Sequence, residues 1–308
     1  MDVAELEARF AVPGALNFRT TPTGLIYALV TAPAAQATIC LQGAHLTHWK
    51  PTGQKQPVLF LSERTELMPG RPIRGGVPVI FPWFGPRKDG KDGPLHGFAR
   101  LQEWTLESAT VAGAELHMKL SLGPSEESRA LGYDHFRLEY SIRIGKTLTL
   151  DLTVTNESGV AGSDAPALTY EEALHTYFVV ADATAVTVSG LAGATYLDKV
   201  DRMKEKVQPA GLLRFTGRTD RVYRNTTATC MIDDEAGRRR IAIQKADSQT
   251  TVVWNPWSEL AATIPDLAPD EWRGMLCVET ANEGDSAITL PAGAKHTMRA
   301  VFSVESVG

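Results

Sequence analysis

The residues of this chain best suited to acid–base chemistry are a glutamate and a histidine. Glu279 lies within the apolar run CVETAN, where a glutamate is rarely buried unless it is paired or functional. Because adjacent residues of a strand face opposite sides, Glu279 can point into a groove while Val278 and Thr280 hold the sheet. His175 lies in the run ALHTYF, directly after an acidic pair. Both residue types are common proton carriers in enzymes, so the two are candidates for general acid–base catalysis.

The other histidines differ in what they offer. His45 and His48 are three residues apart on one predicted strand and therefore face opposite sides, so they cannot share a metal ion. His96 begins the motif HGFAR, in a loop that could lie beside Arg74 if both line one site. Three more alternate with apolar residues in ordinary strands and are interpreted as structural, namely His117, His135 and His296.

Candidate anion ligands lie in the stretch 71–100. Arg71 and Arg74 flank the start of this stretch, a Gly-Gly pair follows Arg74, and Arg100 ends it. Glycines let a backbone approach an oxyanion closely, and a guanidinium group binds phosphate through two hydrogen bonds. The alternative is a buried irregular crossover. A long helix is excluded by Pro78, Pro82 and Pro86.

Other catalytic signatures are missing from the sequence or poorly placed. Glu171 and Glu172 resemble a glycosidase pair, but adjacent residues of a strand face opposite sides, so one groove cannot use both. The sequence contains no phosphate-binding P-loop, no GxSxG elbow, no HExxH motif and no dinucleotide-binding fingerprint. Three aromatic rings could stack on the apolar face of a sugar or pack structurally, those of Trp83, Trp254 and Trp257.

Composition narrows the class of protein. With 308 residues, 43% hydrophobic content and a net charge of −5, the chain can bury a large core and offers no basic field for nucleic acid or membranes. Its three cysteines are widely spaced in apolar runs and are expected to be reduced core residues. The acidic N-terminal sequence MDVAELEARF does not resemble a signal peptide, so we expect a cytoplasmic protein.

Short runs rich in Thr, Val, Ile and Leu, punctuated by Gly and Pro, predict an all-β protein. We expect a single large antiparallel β-sandwich domain over residues 1–308, with a short lead-in over 1–20. Short helices are predicted at 2–10, 125–130 and 269–272, and a hairpin turn at 145–146. The predicted strands are 24–31, 37–42, 44–50, 57–62, 103–111, 115–122, 135–144, 147–156, 167–180, 183–190, 227–234, 238–246, 251–255, 274–282, 286–290 and 295–306.

Five motifs occur in a fixed order: RGGVPVIFPWFG, HGFAR, ALHTYF, VVWNPW and CVETA. With them, the sequence resembles the aldose 1-epimerase superfamily over residues 25 to 305, and more narrowly the hexose-6-phosphate mutarotases, also called glucose-6-phosphate 1-epimerases. The resemblance implies a galactose-mutarotase-like sandwich that carries the site on its concave sheet and uses no cofactor.

The resemblance also implies roles for individual residues. It makes His175 and Glu279 the catalytic pair, with Arg74 and Arg100 on a phosphate group. His96 would lie beside the sugar, and Asp198 in TYLDK loosely matches a substrate-contacting position. One departure concerns Leu95, which stands where some members carry a ligand-binding glutamine.

The expected activity is interconversion of the α and β anomers of D-glucose 6-phosphate, without a metal ion. The alternatives are an epimerase of unphosphorylated hexoses and a non-catalytic sugar-phosphate-binding module, with a glycoside hydrolase third. The only expected partner is the small-molecule sugar phosphate, and a monomer is the default.

Overall fold

A computed structural model describes residues 1–307, so Gly308, the last residue of the predicted domain, lies outside the described residues. The chain begins with helix α1 over Val3–Phe10. Asp2 caps it by accepting the Glu5 amide at 2.9 Å, and the Glu5 carboxylate accepts the Asp2 amide at 3.1 Å. This reciprocal cap satisfies two amides that a helix start leaves free. The helix predicted for residues 2–10 is confirmed.

Strands form most of the regular structure in the described chain. The first twelve are β1 Leu16–Thr20, β2 Ile26–Ala32, β3 Ala35–Cys40, β4 His45–Pro51, β5 Val79–Ile80, β6 Thr105–Ala112, β7 Glu115–Leu122, β8 Phe136–Ile144, β9 Thr147–Asn156, β10 Leu168–Tyr170, β11 Glu172–Leu174 and β12 Tyr177–Val179. The others are β13 Thr187–Ser189, β14 Thr195–Asp198, β15 Lys204–Val207, β16 Leu213–Arg214, β17 Thr219–Tyr223, β18 Cys230–Asp234, β19 Arg239–Ala246, β20 Thr250–Asn255, β21 Met275–Asn282, β22 Ile288–Leu290 and β23 Lys295–Ser306.

The remaining helices are short. They are α2 Glu126–Ala130, α3 Trp257–Ala261 and the 3₁₀ turns Ala99–Leu101, Glu271–Gly274 and Gly284–Ser286. In the part of the chain that the structure describes, no helix combines the length and apolar character that a membrane span requires.

The strands pair antiparallel in four sheets. A nine-stranded sheet has the order β16-β13-β18-β19-β23-β9-β8-β7-β6. An eight-stranded sheet runs β15-β14-β17-β20-β21-β11-β5, with β12 also pairing with β21. A four-stranded meander, β1 to β4, and the pair β10–β22 complete the described fold.

The two large sheets pack face to face. Leu276 and Val278 of β21 point into the same hydrophobic core as Phe302 of β23. The rings of Phe178 and Phe302 meet edge to face, with 5.2 Å between centroids. The protein is therefore the all-β antiparallel sandwich that the strand pattern predicted.

The β8–β9 hairpin shows why the strand prediction worked here. Residues of β8 alternate strictly between buried and half-buried along Phe136–Ile144, which is the period of two that a one-sided sheet imposes. Gly145 and Lys146 are the only residues between the two strands, so the predicted turn is confirmed.

The opposite face of the eight-stranded sheet carries a smaller apolar cluster, which we call the floor. Glu279 lies on this face because it is opposite Val252 in the register and two residues from Ala281. The floor consists of Ile80, Phe84, Ala173, Val222, Val252 and Ala281.

Parts of the strand prediction are wrong. The run 57–62 is no strand, because it makes isolated bridges to two different segments, Leu59 to Phe178 and Leu61 to Gly75. The run 167–180 divides into β10, β11 and β12, and between them His175 donates its amide to the carbonyl of Pro78 instead of extending a ladder. Strands β14 to β17 were missed, since exposed charged segments such as Lys204–Val207 carry no alternating apolar pattern.

Candidate active site

Glu279 and His175 meet above the floor. The β21 strand is buried along its whole length, and Glu279 is 1% exposed. His175 follows β11, which pairs with β21, and its ring Nδ1 lies 3.4 Å from Glu279 Oε1. That separation is longer than a good hydrogen bond. Neither His175 Nδ1 nor Glu279 Oε2 has a hydrogen-bond partner among the described residues.

Aromatic side chains fix the orientation of the His175 ring. It stacks on Tyr177 with 4.8 Å between ring centroids and an interplanar angle of 7°. The Trp254 ring meets it edge-on at 6.3 Å. Of the three tryptophans proposed as sugar platforms, Trp254 is therefore at the site. Trp83 is 5% exposed and donates to the Pro94 carbonyl, and Trp257 packs on Trp272.

Burial pushes both members of the pair toward their neutral forms. It raises the pKa of Glu279 well above its ordinary value of 4.5, against the opposing effect of the Lys199 ammonium group. It lowers the pKa of His175 well below 6.5, and His96, Arg100 and Arg74 lower it further. Neither group is therefore stabilised in its charged form. Each can take up or release a proton during a reaction.

The two glycines after Arg74 serve chain packing. A Cβ on Gly75 would lie 2.4 Å from the Phe60 carbonyl oxygen, and one on Gly76 would lie 2.3 Å from that of Leu46. The Gly76 amide already donates to Phe60 at 2.6 Å. An anion bound here would therefore be held by side chains, because the Gly76 amide already donates a hydrogen bond to the Phe60 carbonyl.

Arg74 is held in place by protein partners. Its Nε and Nη2 lie 3.1 and 3.0 Å from Asp266 Oδ1, and its Nη1 donates to the Tyr177 hydroxyl at 3.1 Å. One quarter of the side chain is exposed. Its charge is already balanced by Asp266, so an added anion gains less from Arg74 than from an unpaired guanidinium group.

Arg100 differs from Arg74 because no carboxylate within the described residues pairs with it. Its Nη2 donates to the Leu95 carbonyl at 2.7 Å, and its Nε has no partner in that part of the chain. Burial and the nearby Arg74 lower the pKa of Arg100 to about 10. A partly buried, uncompensated guanidinium group is a strong anion ligand. The Leu95 side chain itself is 55% exposed.

His96 lies between His175 and the floor residue Phe84. Its ring lies 5.5 Å from that of His175 and 4.8 Å from that of Phe84, between centroids. Burial lowers its pKa to about 3, with help from Arg100 and the Lys199 ammonium group, so the ring is neutral. Its Nδ1 accepts the Gly85 amide at 3.1 Å, which leaves the proton on Nε2 as a donor.

Asp198 is the predicted contact that the structure does not bring to the site face. It lies on β14 next to Lys199, and adjacent strand residues face opposite sides. Its carboxylate binds Lys206 Nζ at 2.8 Å and accepts the amides of Val200 and Asp201. In the structure, Asp198 therefore stabilises the turn over residues 199–203, which contains Lys199.

Lys199 and Asp220 were missed by sequence reasoning. Asp220 of β17 lies opposite Trp254 and shares its face, and Lys199 lies 3.8 Å from Asp220. The Lys199 ammonium group also sits 4.7 Å from the centroid of the Phe84 ring. Asp220 lies in β17 and Lys199 directly follows β14, two strands that the sequence did not reveal, and only the motif TYLDK pointed to this part of the chain.

The candidate glycosidase pair is divided by the sheet. Glu171 accepts the Phe84 amide at 2.9 Å and pairs with Lys88 on the site side. Glu172 lies on the other side, where it meets His296 at 3.2 Å. The geometric argument from the sequence is confirmed. Within residues 1–307, no group of three or more His, Cys, Asp or Glu side chains is arranged to hold a metal ion.

Comparison with known proteins identifies the family. The sequence model of aldose 1-epimerase matches residues 27–303. The chain belongs to the aldose 1-epimerase family. It is accordingly an epimerase, an isomerase that acts on a sugar.

Relatives within this family share most of the chain. A protein of Escherichia coli K12, whose name proposes glucose-6-phosphate 1-epimerase activity, is 40% identical over 253 residues, 82% of each chain. A plant protein of Cenchrus ciliaris with the same proposed activity is 30% identical over 289 residues, 92% of this chain and 86% of its own.

Solved structures confirm the fold. The crystal structure of YeaD from Salmonella typhimurium, a proposed mutarotase, superposes with a TM-score of 0.88 at 31% identity over 99% of both chains. A galactose mutarotase-like protein of Clostridium acetobutylicum superposes with a TM-score of 0.71 at 15% identity, over 95% of this chain and 98% of its own. The predicted galactose-mutarotase-like sandwich is confirmed.

Proposed function

We propose that the protein interconverts the α and β anomers of D-glucose 6-phosphate, with His175 and Glu279 as its acid and base. The observation that carries this proposal is the buried pair itself. His175 Nδ1 lies 3.4 Å from Glu279 Oε1, and neither His175 Nδ1 nor Glu279 Oε2 has a hydrogen-bond partner among the described residues. Support for a phosphorylated substrate comes from Arg100, whose guanidinium group has no carboxylate partner among the described residues.

The reaction needs two proton transfers for ring opening and two for ring closure. Glu279, as a carboxylate, takes the proton of the C1 hydroxyl while protonated His175 gives a proton to the ring oxygen, and the ring opens to the aldehyde. Rotation about the C1–C2 bond presents the other face of the aldehyde. The ring oxygen then attacks C1 with the proton transfers reversed. Each positioned acid or base contributes about 10² to 10⁴ in rate, so no further group is required for proton transfer.

A bound phosphate group would also make His175 easier to protonate. Arg74 and Arg100 are among the charges that lower the pKa of His175. A bound phosphate carries a charge of about −1.5 to −2 and would compensate those cations, which raises the pKa of His175 again. His175 would thus be protonated more readily when a phosphorylated sugar is bound than when a neutral sugar is bound.

Other side chains of the site fit hydroxyl recognition. Neutral His96 offers its Nε2 proton as a donor, and Trp254 offers a ring beside His175. The proposed mechanism uses residues of a single chain, so it requires no residue from a second copy, and a monomer remains our default. Hexose phosphates are anions that cross membranes poorly, because burying a charge is costly, and this supports a cytoplasmic enzyme.

A second candidate is an epimerase of unphosphorylated hexoses, and the Arg74–Asp266 pair favours it. Asp266 already neutralises Arg74, which leaves Arg100 as the main phosphate ligand. One charge-assisted hydrogen bond contributes about 1.5 to 3 kcal/mol, so we expect a preference for phosphorylated sugars of about 10- to 10²-fold.

The test is the rate of anomer exchange measured by NMR for glucose 6-phosphate, glucose and galactose, with Glu279→Gln as the inactive control. Faster exchange of the phosphorylated sugar that is lost in the variant supports the proposal. Acceleration of the free sugars alone would establish the second candidate. Absence of any acceleration would reject both and leave a binding module.

A further inference from the structure

Lys199 is a cation of the site face that the mechanism above does not use. It follows β14, and its amide donates to the Asp220 carbonyl at 2.9 Å. This bond continues the β14–β17 ladder, in which Asp198 is opposite Arg221. Lys199 therefore shares a face with Asp220, and through Asp220 with Trp254 of β20.

The side chain of Lys199 lies over the floor. Three strand steps separate β14 from β21, or about 14 Å at the usual spacing of neighbouring strands. The ammonium group lies 4.7 Å from the centroid of the Phe84 ring, and Phe84 is a floor residue whose ring lies 4.8 Å from that of His96. The Lys199 charge is therefore on the face of the sheet that carries Glu279, beside the aromatic rings of the site.

The ammonium group is not neutralised by a tight ion pair. The nearest carboxylate oxygen, Asp220 Oδ1, is 3.8 Å away, and 27% of the Lys199 side chain is exposed. By contrast, Lys206 on the same hairpin is held by Asp198 and Asp201 at 2.8 and 2.7 Å. The positive charge of Lys199 can therefore stabilise negative charge on other groups of the site.

Apart from Lys199, the groups around Glu279 are neutral or make its negatively charged form less favourable. Asp220 of β17 and Glu283 beyond β21 raise its pKa, and burial raises it most. The Lys88 side chain is engaged by Glu171 and Glu283. Several charged or titratable groups face Glu279: His175 from the segment after β11, Tyr177 from β12, Cys277 and Glu283 from its own strand and its extension, Asp220 from β17 and Lys199 from the turn after β14.

We propose that Lys199 is a positioning residue that keeps Glu279 in the carboxylate form that the base must have. This inference rests on the proposed function and adds the cation that its base requires. Arg74 and Arg100 attract the phosphate end of the substrate, and Lys199 supplies the compensating charge at the other end of the floor. Asp198 contributes by fixing the turn that carries Lys199.

The test is the pH profile of kcat/KM for glucose 6-phosphate in Lys199→Met. Loss of the cation raises the pKa of Glu279, so the acidic limb moves to higher pH by about one unit. On the acidic side kcat/KM falls about tenfold, and above the limb it matches the wild type. KM changes by less than about twofold, because the lysine acts through Glu279.

Two further variants sharpen this result. Lys199→Arg keeps the charge and is expected to restore the wild-type limb. Lys204→Met removes an exposed lysine from the same hairpin, 4.0 Å from Asp201, and is expected to leave the profile unchanged. A uniform fall at every pH, a rise in KM alone or an unchanged profile in Lys199→Met would overturn the proposal.

A second readout does not depend on activity. Protein with ¹³C-labelled glutamate carboxyl groups is titrated by NMR, and the Glu279 signal is assigned by its loss in Glu279→Gln. A higher titration midpoint in Lys199→Met than in the wild type supports the proposal, and an equal midpoint overturns it. If the wild type does not accelerate anomer exchange, the proposed function fails while this titration still decides the role of Lys199.

Discussion

Two histidine–glutamate pairs, each with a buried glutamate, lie on opposite faces of the eight-stranded sheet. His175 and Glu279 are 3.4 Å apart on the site face, and His296 and Glu172 are 3.2 Å apart on the other. The hydrogen bond that His296 donates to the Glu172 carboxylate raises the pKa of His296, whereas burial lowers the pKa of His175. Burial raises the pKa of Glu172 as well, but His296 and Asn282 oppose that shift. The same two residue types are therefore held closer to an ion pair on one face than on the other.

The neighbours of each histidine explain this difference. His296 faces acceptors, since its Nε2 also lies 3.1 Å from the Asp247 carbonyl, and Asn282 donates to Glu172 at 2.9 Å. His175 faces cations, namely Arg74 and Arg100. Acceptors favour an imidazolium ion and cations disfavour it, so the surroundings decide which pair is structural.

The largest expected effect separates the two glutamates. Glu279→Gln is expected to lower kcat for anomer exchange by about 10²- to 10⁴-fold, because the base is lost. The matched variant Glu172→Gln should leave kcat unchanged, since Glu172 faces away from the site. NMR exchange rates of both variants check this. Equal losses of activity in the two would break the comparison.

The same variants are expected to differ in stability. Glu279→Gln should unfold at the same or a higher urea concentration, since a buried acid without a hydrogen-bond partner on Oε2 is replaced by a neutral amide. A marked loss of stability in Glu279→Gln would show that its pair is also structural.

A smaller effect is expected when the structural pair is broken. His296→Ala leaves Glu172 buried without its counter-ion and should cost about 3 kcal/mol, at the low end for buried pairs because 20% of the His296 side chain is exposed. Urea unfolding measures this, with the exposed His135→Ala as control. Loss of anomer exchange in folded His296→Ala would contradict the separation of roles.

Removing one cation should make His175 behave more like His296. In Arg100→Met, the pKa of His175 rises, and the basic limb of the kcat/KM profile for free glucose moves to higher pH. Glucose 6-phosphate should lose about 10- to 10²-fold in kcat/KM through the missing phosphate contact. An unchanged ratio of phosphorylated to free sugar would exclude Arg100 as the phosphate ligand.

The smallest effect is the opposite pH dependence that the two histidines give to stability. The raised pKa of His296 contributes stability that is present below pH 6.5 and is lost as pH rises through the folded value. The lowered pKa of His175 costs stability as pH falls below 6.5. Urea midpoints across pH should therefore flatten on the alkaline side in His296→Gln and on the acidic side in His175→Gln. The reverse assignment would refute the comparison.

Local patterns predicted much of the fold and part of the site. The alternation of β8 and β9 predicted both strands and the turn at 145–146 that joins them, and the parity of Glu171 and Glu172 placed them on opposite faces, because these features depend only on local spacing. The runs 57–62 and 167–180 were misjudged because their hydrogen bonds go to distant segments. The resemblance pointed to His175, Glu279, Arg74 and Arg100, whose convergence on one face supports those roles.

By itself, the sequence determined the all-β class, the main strands, the family and the residue types available for catalysis, because these depend on local periodicity and motifs. Only the tertiary structure decided that Asp266 neutralises Arg74 while no carboxylate of the described chain pairs with Arg100. It also placed the Lys199 ammonium group over the floor and pointed the Asp198 carboxylate away from the site, toward Lys206. His175 and His296 likewise received different charged neighbours only through the tertiary structure. These outcomes depend on which distant side chains become neighbours, and that is set by packing the sheets together.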